Sequence, residues 1–122
     1  MNVEKVTKHL FDDDQGDMQI DVYRVFPGVE VAFMSLHMAD FDFSRFETSE
    51  ERNYISIRYC QEGRIEQEVN QEFFYLMAGD CSISRQKEAK KTFQFPLKHY
   101  HGINIGIDLD VKDNPLVEYL EK

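Results

Sequence analysis

The residues best equipped for chemistry are four histidines, His9, His37, His99 and His101. His99 and His101 lie two apart in an alternating run, so in a strand both imidazoles leave the same face. An imidazole can ligate a metal or hydrogen-bond a polar ligand. A catalytic metal site takes three or four protein ligands, and this pair supplies two of them. The others would come from His37, from a carboxylate or from another strand. Metal ligation, contact with an organic ligand and a purely structural role all stay open. The working expectation is ligand contact, with no metal and no cofactor assigned.

Arg58 lies between apolar neighbours in the middle of a strand-like run. A buried guanidinium needs an acceptor, either a ligand carboxylate or an internal Asp or Glu. The sequence contains no GxSxG, no GxGxxG after a strand and no GxxxxGK[ST], so nucleophile-elbow and phosphate-loop chemistry find no support. The acidic runs Asp12-Asp13-Asp14 and Glu50-Glu51 read as solvated surface. Cys60 and Cys81 form no CxxC, and each sits in a strand-like run, where a free thiol behaves as a small buried apolar group; a disulfide is the alternative.

The elements that must position these groups are strands. Ile20-Asp21-Val22 opens a run that ends at the turn Phe26-Pro27-Gly28. Val29 to Met38 is apolar on both faces, with His37 on the same face as Val29, Val31, Phe33 and Ser35. That face points either inward, bringing His37 to a cavity, or outward. Ala39 to Asn53 reads as a loop. Tyr54 to Gln61 is a strand, Glu62-Gly63 a turn, and Arg64 to Asn70 the returning strand. Phe73 to Met77, the turn Ala78-Gly79-Asp80, Cys81 to Arg85, and Phe93 with Phe95 before Pro96 follow. His99 to Ile107 is the clearest period-two segment, and its Ile103, Ile105 and Ile107 share the histidine face. Three isoleucines predict an inward face, which would carry both imidazoles into the interior. Val3 to Leu10 reads as a short helix or a frayed end. Asp113-Asn114-Pro115 caps a short C-terminal helix that includes Leu116, Val117 and Leu120. About eight short strands imply an all-β fold in which a jelly-roll barrel encloses a cavity.

Composition sets the bounds. The chain's 122 residues, 42% hydrophobic and 30% charged, make one domain. No apolar run approaches a bilayer span, and Met1 to Lys8 lacks the apolar stretch of a secretory signal, so a cytoplasmic setting with no membrane partner is expected. A net charge of -9 argues against direct binding to nucleic acid. The one basic concentration, Arg85, Lys87, Lys90, Lys91 and Lys98, is interrupted by Glu88 and reads as a solvated loop.

Three stretches together resemble the N-terminal sensor domain of AraC-type transcriptional regulators: Tyr59-Cys60-Gln61-Glu62-Gly63-Arg64, Phe74 through Gly79-Asp80 to Ser84, and Phe95-Pro96-Leu97-Lys98-His99-Tyr100-His101-Gly102-Ile103. The likeness covers about residues 20 to 110. It implies a cupin-like barrel that binds a small polar effector, such as a sugar, and forms a homodimer, with DNA contacted only through a helix-turn-helix domain outside this chain. His101 carries over from the strand that lines the sugar site in that family, and His37 more loosely. The sequence departs from metal-binding cupins, which carry His-x-His after the first turn glycine. Expected segments are an N-terminal piece over 1–18, the barrel over 19–111 and the start of a linker helix over 112–122. The expected ligand-binding residues are His37, Arg58, His99, His101 and Ile103. Phe41, Phe43, Phe46, Leu116 and Leu120 are candidates for the dimer contact, with core packing the alternative for the phenylalanines. The rival expectation is a stand-alone metal-dependent cupin enzyme, an isomerase or oxygenase.

Overall fold

A computed structural model of the chain describes residues 3–42, 54–69, 71–85 and 92–111. Strands dominate because β-branched and aromatic residues alternate with polar ones between Gly, Pro and Asp turns. In chain order they are β1 (Glu4–Asp13), β2 (Gly16–Phe26), β3 (Val29–Met38), β4 (Asp40–Asp42), β5 (Tyr54–Val69), β6 (Glu72–Met77), β7 (Cys81–Arg85), β8 (Thr92–Gln94) and β9 (Tyr100–Asp108). Every pairing among them is antiparallel.

One sheet runs β1-β2-β3-β9, then the first half of β5, then β7. The second is made by β4, β8, the second half of β5 and β6. β5 therefore belongs to both sheets and joins them into one curled structure. Its register slips between Cys60 and Glu62, and Gly63 follows with φ 84°. A bulge next to a left-handed glycine is how a strand turns a sheet corner. The expected hairpin turn at Glu62-Gly63 is thus this corner, and the chain runs straight through it. A side chain at Gly63 would overlap the His99 carbonyl.

The core lies between the sheets. Met18 and Ile20 of β2, Leu36 and Met38 of β3, Cys60 of β5 and Tyr100 of β9 meet Ile65, Phe93 and Phe95 from the other side, and all are buried. Phe41 packs against this cluster and stands edge-on to Phe11, so of the three loop phenylalanines the described one serves the core. The segment Val3 to Leu10, read as helix or frayed end, is strand from Glu4 on: β1 pairs along β2, and its Phe11 packs against the core. Pairing along a whole neighbouring strand outweighs the weak helical preference of so short a segment. The proposed C-terminal helix, Phe43 and Phe46 lie outside the described residues.

The orientation of β9 departs from the sequence expectation at its histidine end. Residues opposite one another in a ladder share a face. Gly102 faces Met34 and Cys60, and Asn104 faces Ala32 and Arg58, so Tyr100, Gly102, Asn104 and Gly106 look into the core. His101, Ile103, Ile105 and Ile107 lie on the opposite face, beside Ser35, Phe33, Val31 and Val29; the far end of that face is covered too, since Val29, Ile107 and Leu109 form a second, smaller buried cluster against which Ile55, Ile57 and Ile105 pack. The reason is steric. Side chains at Gly102 and Gly106 would overlap the hydroxyls of Tyr100 and Tyr54, so two tyrosines cover the glycine face and turn it toward the space between the sheets.

Candidate functional site

The middle of β9 places different chemistry on its two sides. On the inner side Tyr100 is 1% exposed, and its hydroxyl has no hydrogen-bond partner among the described residues. Burial pushes its phenol up to about 12, against a smaller downward pull from the charge of Arg58. The group therefore stays protonated across the physiological range and keeps both a donor and acceptor capacity. Arg58 faces the same interior, its guanidinium 4.6 Å above the Phe93 ring, a cation–π contact. Asn104 lies opposite Arg58 on the ladder, and buried Ser56 is one pleat further along the same face. Burial also raises the thiol of Cys60, which is 0% exposed, while Cys81 is exposed. The inner face thus offers a guanidinium, an amide, a hydroxyl and an unpartnered phenol, a set suited to hydrogen-bonding a small polar molecule.

On the outer side three imidazoles gather at one end of the first sheet. Ring centres are 4.6 Å apart for His99 and His101, 5.1 Å for His37 and His99, and 5.9 Å for His37 and His101. One nitrogen from each ring lies within 4.8 Å of the other two. The Nδ1–H of His37 donates to Asp17 Oδ1 at 2.9 Å across the β2–β3 ladder. His101 has Ser35 Oγ at 3.2 Å from Nε2 and Glu62 Oε2 at 3.5 Å from Nδ1, and Glu62 Oε1 is 3.9 Å from His99 Nε2. Glu62 reaches this face because the β5 bulge sets it opposite His101.

Of the five residues singled out from sequence, His37, His99 and His101 come together, on the outer face rather than inside. Ile103 lies on that outer face too, next to His101. Arg58 stands on the opposite, inner side. Sequence reasoning missed Tyr100, Asn104, Asp17, Ser35 and Glu62. A glycine within a strand pattern marks a bulge or a close approach, so Gly63, Gly102 and Gly106 were the available signals for Glu62 and Tyr100.

No family model matches the sequence, and neither does any curated protein. The fold has clear likenesses among solved structures. The EutQ protein of Clostridium difficile superposes with a TM-score of 0.57 at 13% identity, over 81% of this chain and 68% of that one. The fold is that of a cupin. The cupin domain of an XRE family transcriptional regulator from Enterobacter cloacae gives 0.54 at 13%, over 74% and 95% of the two chains. Pac13 from Streptomyces, a nucleoside dehydratase, gives 0.54 at 13%, over 83% and 76%. Cupins of this shape thus include a regulator's domain and an enzyme, and the jelly-roll architecture does not decide between those roles. Among the described residues, no helix is long and apolar enough to cross a membrane.

In this cupin-like fold the inner face holds no group of three or more metal-ligating side chains among the described residues; the one such group is the outer imidazole trio. Among the described residues, then, none of the interior ones groups as a metal site.

Proposed function

We propose that this chain is the effector-binding and dimerisation domain of a cytoplasmic AraC-type transcriptional regulator, and that it senses a small polar molecule, such as a sugar or a small organic acid, between its two sheets. In this reading the chain binds and does not catalyse. The observation that carries it is the Tyr100 hydroxyl, buried and without a hydrogen-bond partner among the described residues, on the face that also carries Arg58 and Asn104. A buried polar group left unpaired costs about 1–3 kcal/mol and calls for an explanation, which an incoming hydroxyl or carboxylate supplies. The motifs from Tyr59 to Ile103 support the regulator family.

Tyr100 and Arg58 lie on β9 and β5, neighbouring strands of the first sheet. An effector bridging them stabilises whichever arrangement of those strands presents both groups. Its differential affinity for two states then shifts the pairing of attached DNA-binding domains.

The homodimer forms through the outer face of the same sheet. Val31, Phe33, Ile57, Tyr59, Ile83 and Ile105 make a continuous apolar surface there, with Phe33, Tyr59 and Ile83 exposed at 47%, 39% and 72%. A second copy is the fitting occupant because the surface is uncharged at its centre in a chain of net charge -9.

A thermal-shift screen with sugars and small organic acids tests the proposal. A specific ligand raises apparent stability by mass action, about 2.7 kcal/mol at a hundred times its dissociation constant. Stabilisation that is lost in Tyr100→Phe supports the reading, and a hit that stabilises both proteins equally refutes the assigned site. Extension of the gene's reading frame past Lys122 into two helix-turn-helix patterns would support the regulator assignment.

A further inference from the structure

We propose that His37, His99 and His101 form a binding site for a first-row transition-metal ion, such as Zn²⁺, on the outer face of the first sheet and separate from the effector site. Neutral imidazole is the common protein ligand for Zn²⁺, Co²⁺, Ni²⁺ and Cu²⁺. Here three of them converge where β3 and β9 pair, His37 near the end of β3, His99 just before β9 and His101 at its start.

The distances fit an open site that closes on its metal. Tetrahedral ligation at about 2.0–2.1 Å needs nitrogens about 3.3 Å apart. The nitrogens now lie within 4.8 Å of one another, so the rings must draw in by at most about 1.5 Å. Side-chain exposures of 48%, 38% and 32% leave His37, His99 and His101 free to do so and leave solvent access for an ion.

The surrounding groups match what a metal-bound imidazole requires. Asp17 accepts the His37 Nδ1–H and so presents Nε2 with its lone pair, the carboxylate–histidine pairing that orients metal ligands. Glu62 faces both His99 and His101 and supplies either a fourth ligand or a neutralising charge. Three histidines with one carboxylate leave an ion of borderline softness well matched and a strictly oxygen-seeking ion such as Mg²⁺ poorly matched.

The test uses the untagged chain, stripped with chelator, because a polyhistidine tag would bind the same ions. Zn²⁺ is titrated calorimetrically, and Co²⁺ reports geometry by its visible absorption. The expected result is one equivalent bound at micromolar or lower dissociation constant, with the intense bands of four- or five-coordinate Co²⁺. His37→Ala and His101→Ala each weaken binding at least about 100-fold, Asp17→Asn about 10- to 100-fold, and His9→Ala not at all. The metal-free melting temperatures of these surface variants verify that they fold. Dissociation constants above about 1 mM, a purely six-coordinate Co²⁺ spectrum, or equal loss in His9→Ala and His101→Ala would overturn the site. The effector reading stands or falls separately, since Tyr100→Phe leaves all three imidazoles in place.

Discussion

Replacing Tyr100 by Phe removes a single buried oxygen, and the environment of that oxygen fixes two consequences. The first is at neutral pH. The hydroxyl has no partner among the described residues and is 1% exposed, so its deletion relieves a desolvation cost of about 1–3 kcal/mol and forfeits only a few dispersion contacts. The unliganded variant should therefore equal or exceed the wild type, by about 1 kcal/mol or about 4 °C in melting temperature. The second is at alkaline pH. The folded phenol titrates at about 12 against an ordinary 10.0. Between those values the unfolded chain loses its phenolic proton while the folded chain keeps it. Unfolding then releases a proton, and rising pH favours the unfolded state. Stability is fully present below pH 10 and falls by up to about 2.7 kcal/mol on approaching pH 12. Lysines and the other tyrosines titrate in both proteins, so the informative quantity is the difference between the two stability curves. Urea denaturation at half-unit pH steps from 8 to 11.5 measures it. The variant should gain steadily on the wild type above pH 10. A variant that is less stable by more than 1 kcal/mol at pH 7, with no change in the difference at alkaline pH, would show that the hydroxyl is well partnered and the reasoning wrong.

Three further outcomes follow from the packing. Leu36→Ala, at a 0% exposed position in the centre of the core, should cost about 2–5 kcal/mol in chemical denaturation. Gly102→Ala places a methyl on the Tyr100 hydroxyl and should cost about 1–3 kcal/mol, with much of that recovered in the Gly102→Ala, Tyr100→Phe double variant. Phe33→Glu or Ile83→Lys should convert a dimer to a folded monomer, read by light scattering after size exclusion; an unchanged mass would rule out the outer face as the interface.

Much of the strand pattern was legible because short alternating runs between Gly, Pro and Asp turns have few alternatives. The turn at Ala78-Gly79-Asp80 and the strands Val29–Met38 and Cys81–Arg85 came out as read, and the strand read over His99 to Ile107 runs over Tyr100–Asp108. What alternation cannot tell is which of two apolar faces is the inner one. On β9 the isoleucine face is core at its Ile107 end, yet the face turned between the sheets is the glycine one, because Tyr100 and Tyr54 fold over it. That information resides in ring placement, which a period-two count does not see. The same limit hid Glu62. Ile55, Ile57, Tyr59 and Ile65 are all odd-numbered, so nothing in their spacing betrays that the bulge after Cys60 reverses the two faces between Tyr59 and Ile65. The three-histidine grouping was partly visible, since His99 and His101 share a face by spacing alone, but the arrival of His37 depends on the β3–β9 register. β1 was missed because its first residues show no strong period and gain their structure from pairing with β2.

The most direct measurement is calorimetric titration of the best compound from the ligand screen into wild type, Tyr100→Phe, Arg58→Met and His37→Ala. Binding weakened at least tenfold by both inner substitutions and unchanged by the outer one would place the effector between the sheets. Full affinity in the two inner variants, or loss confined to His37→Ala, would contradict an interior sensing site.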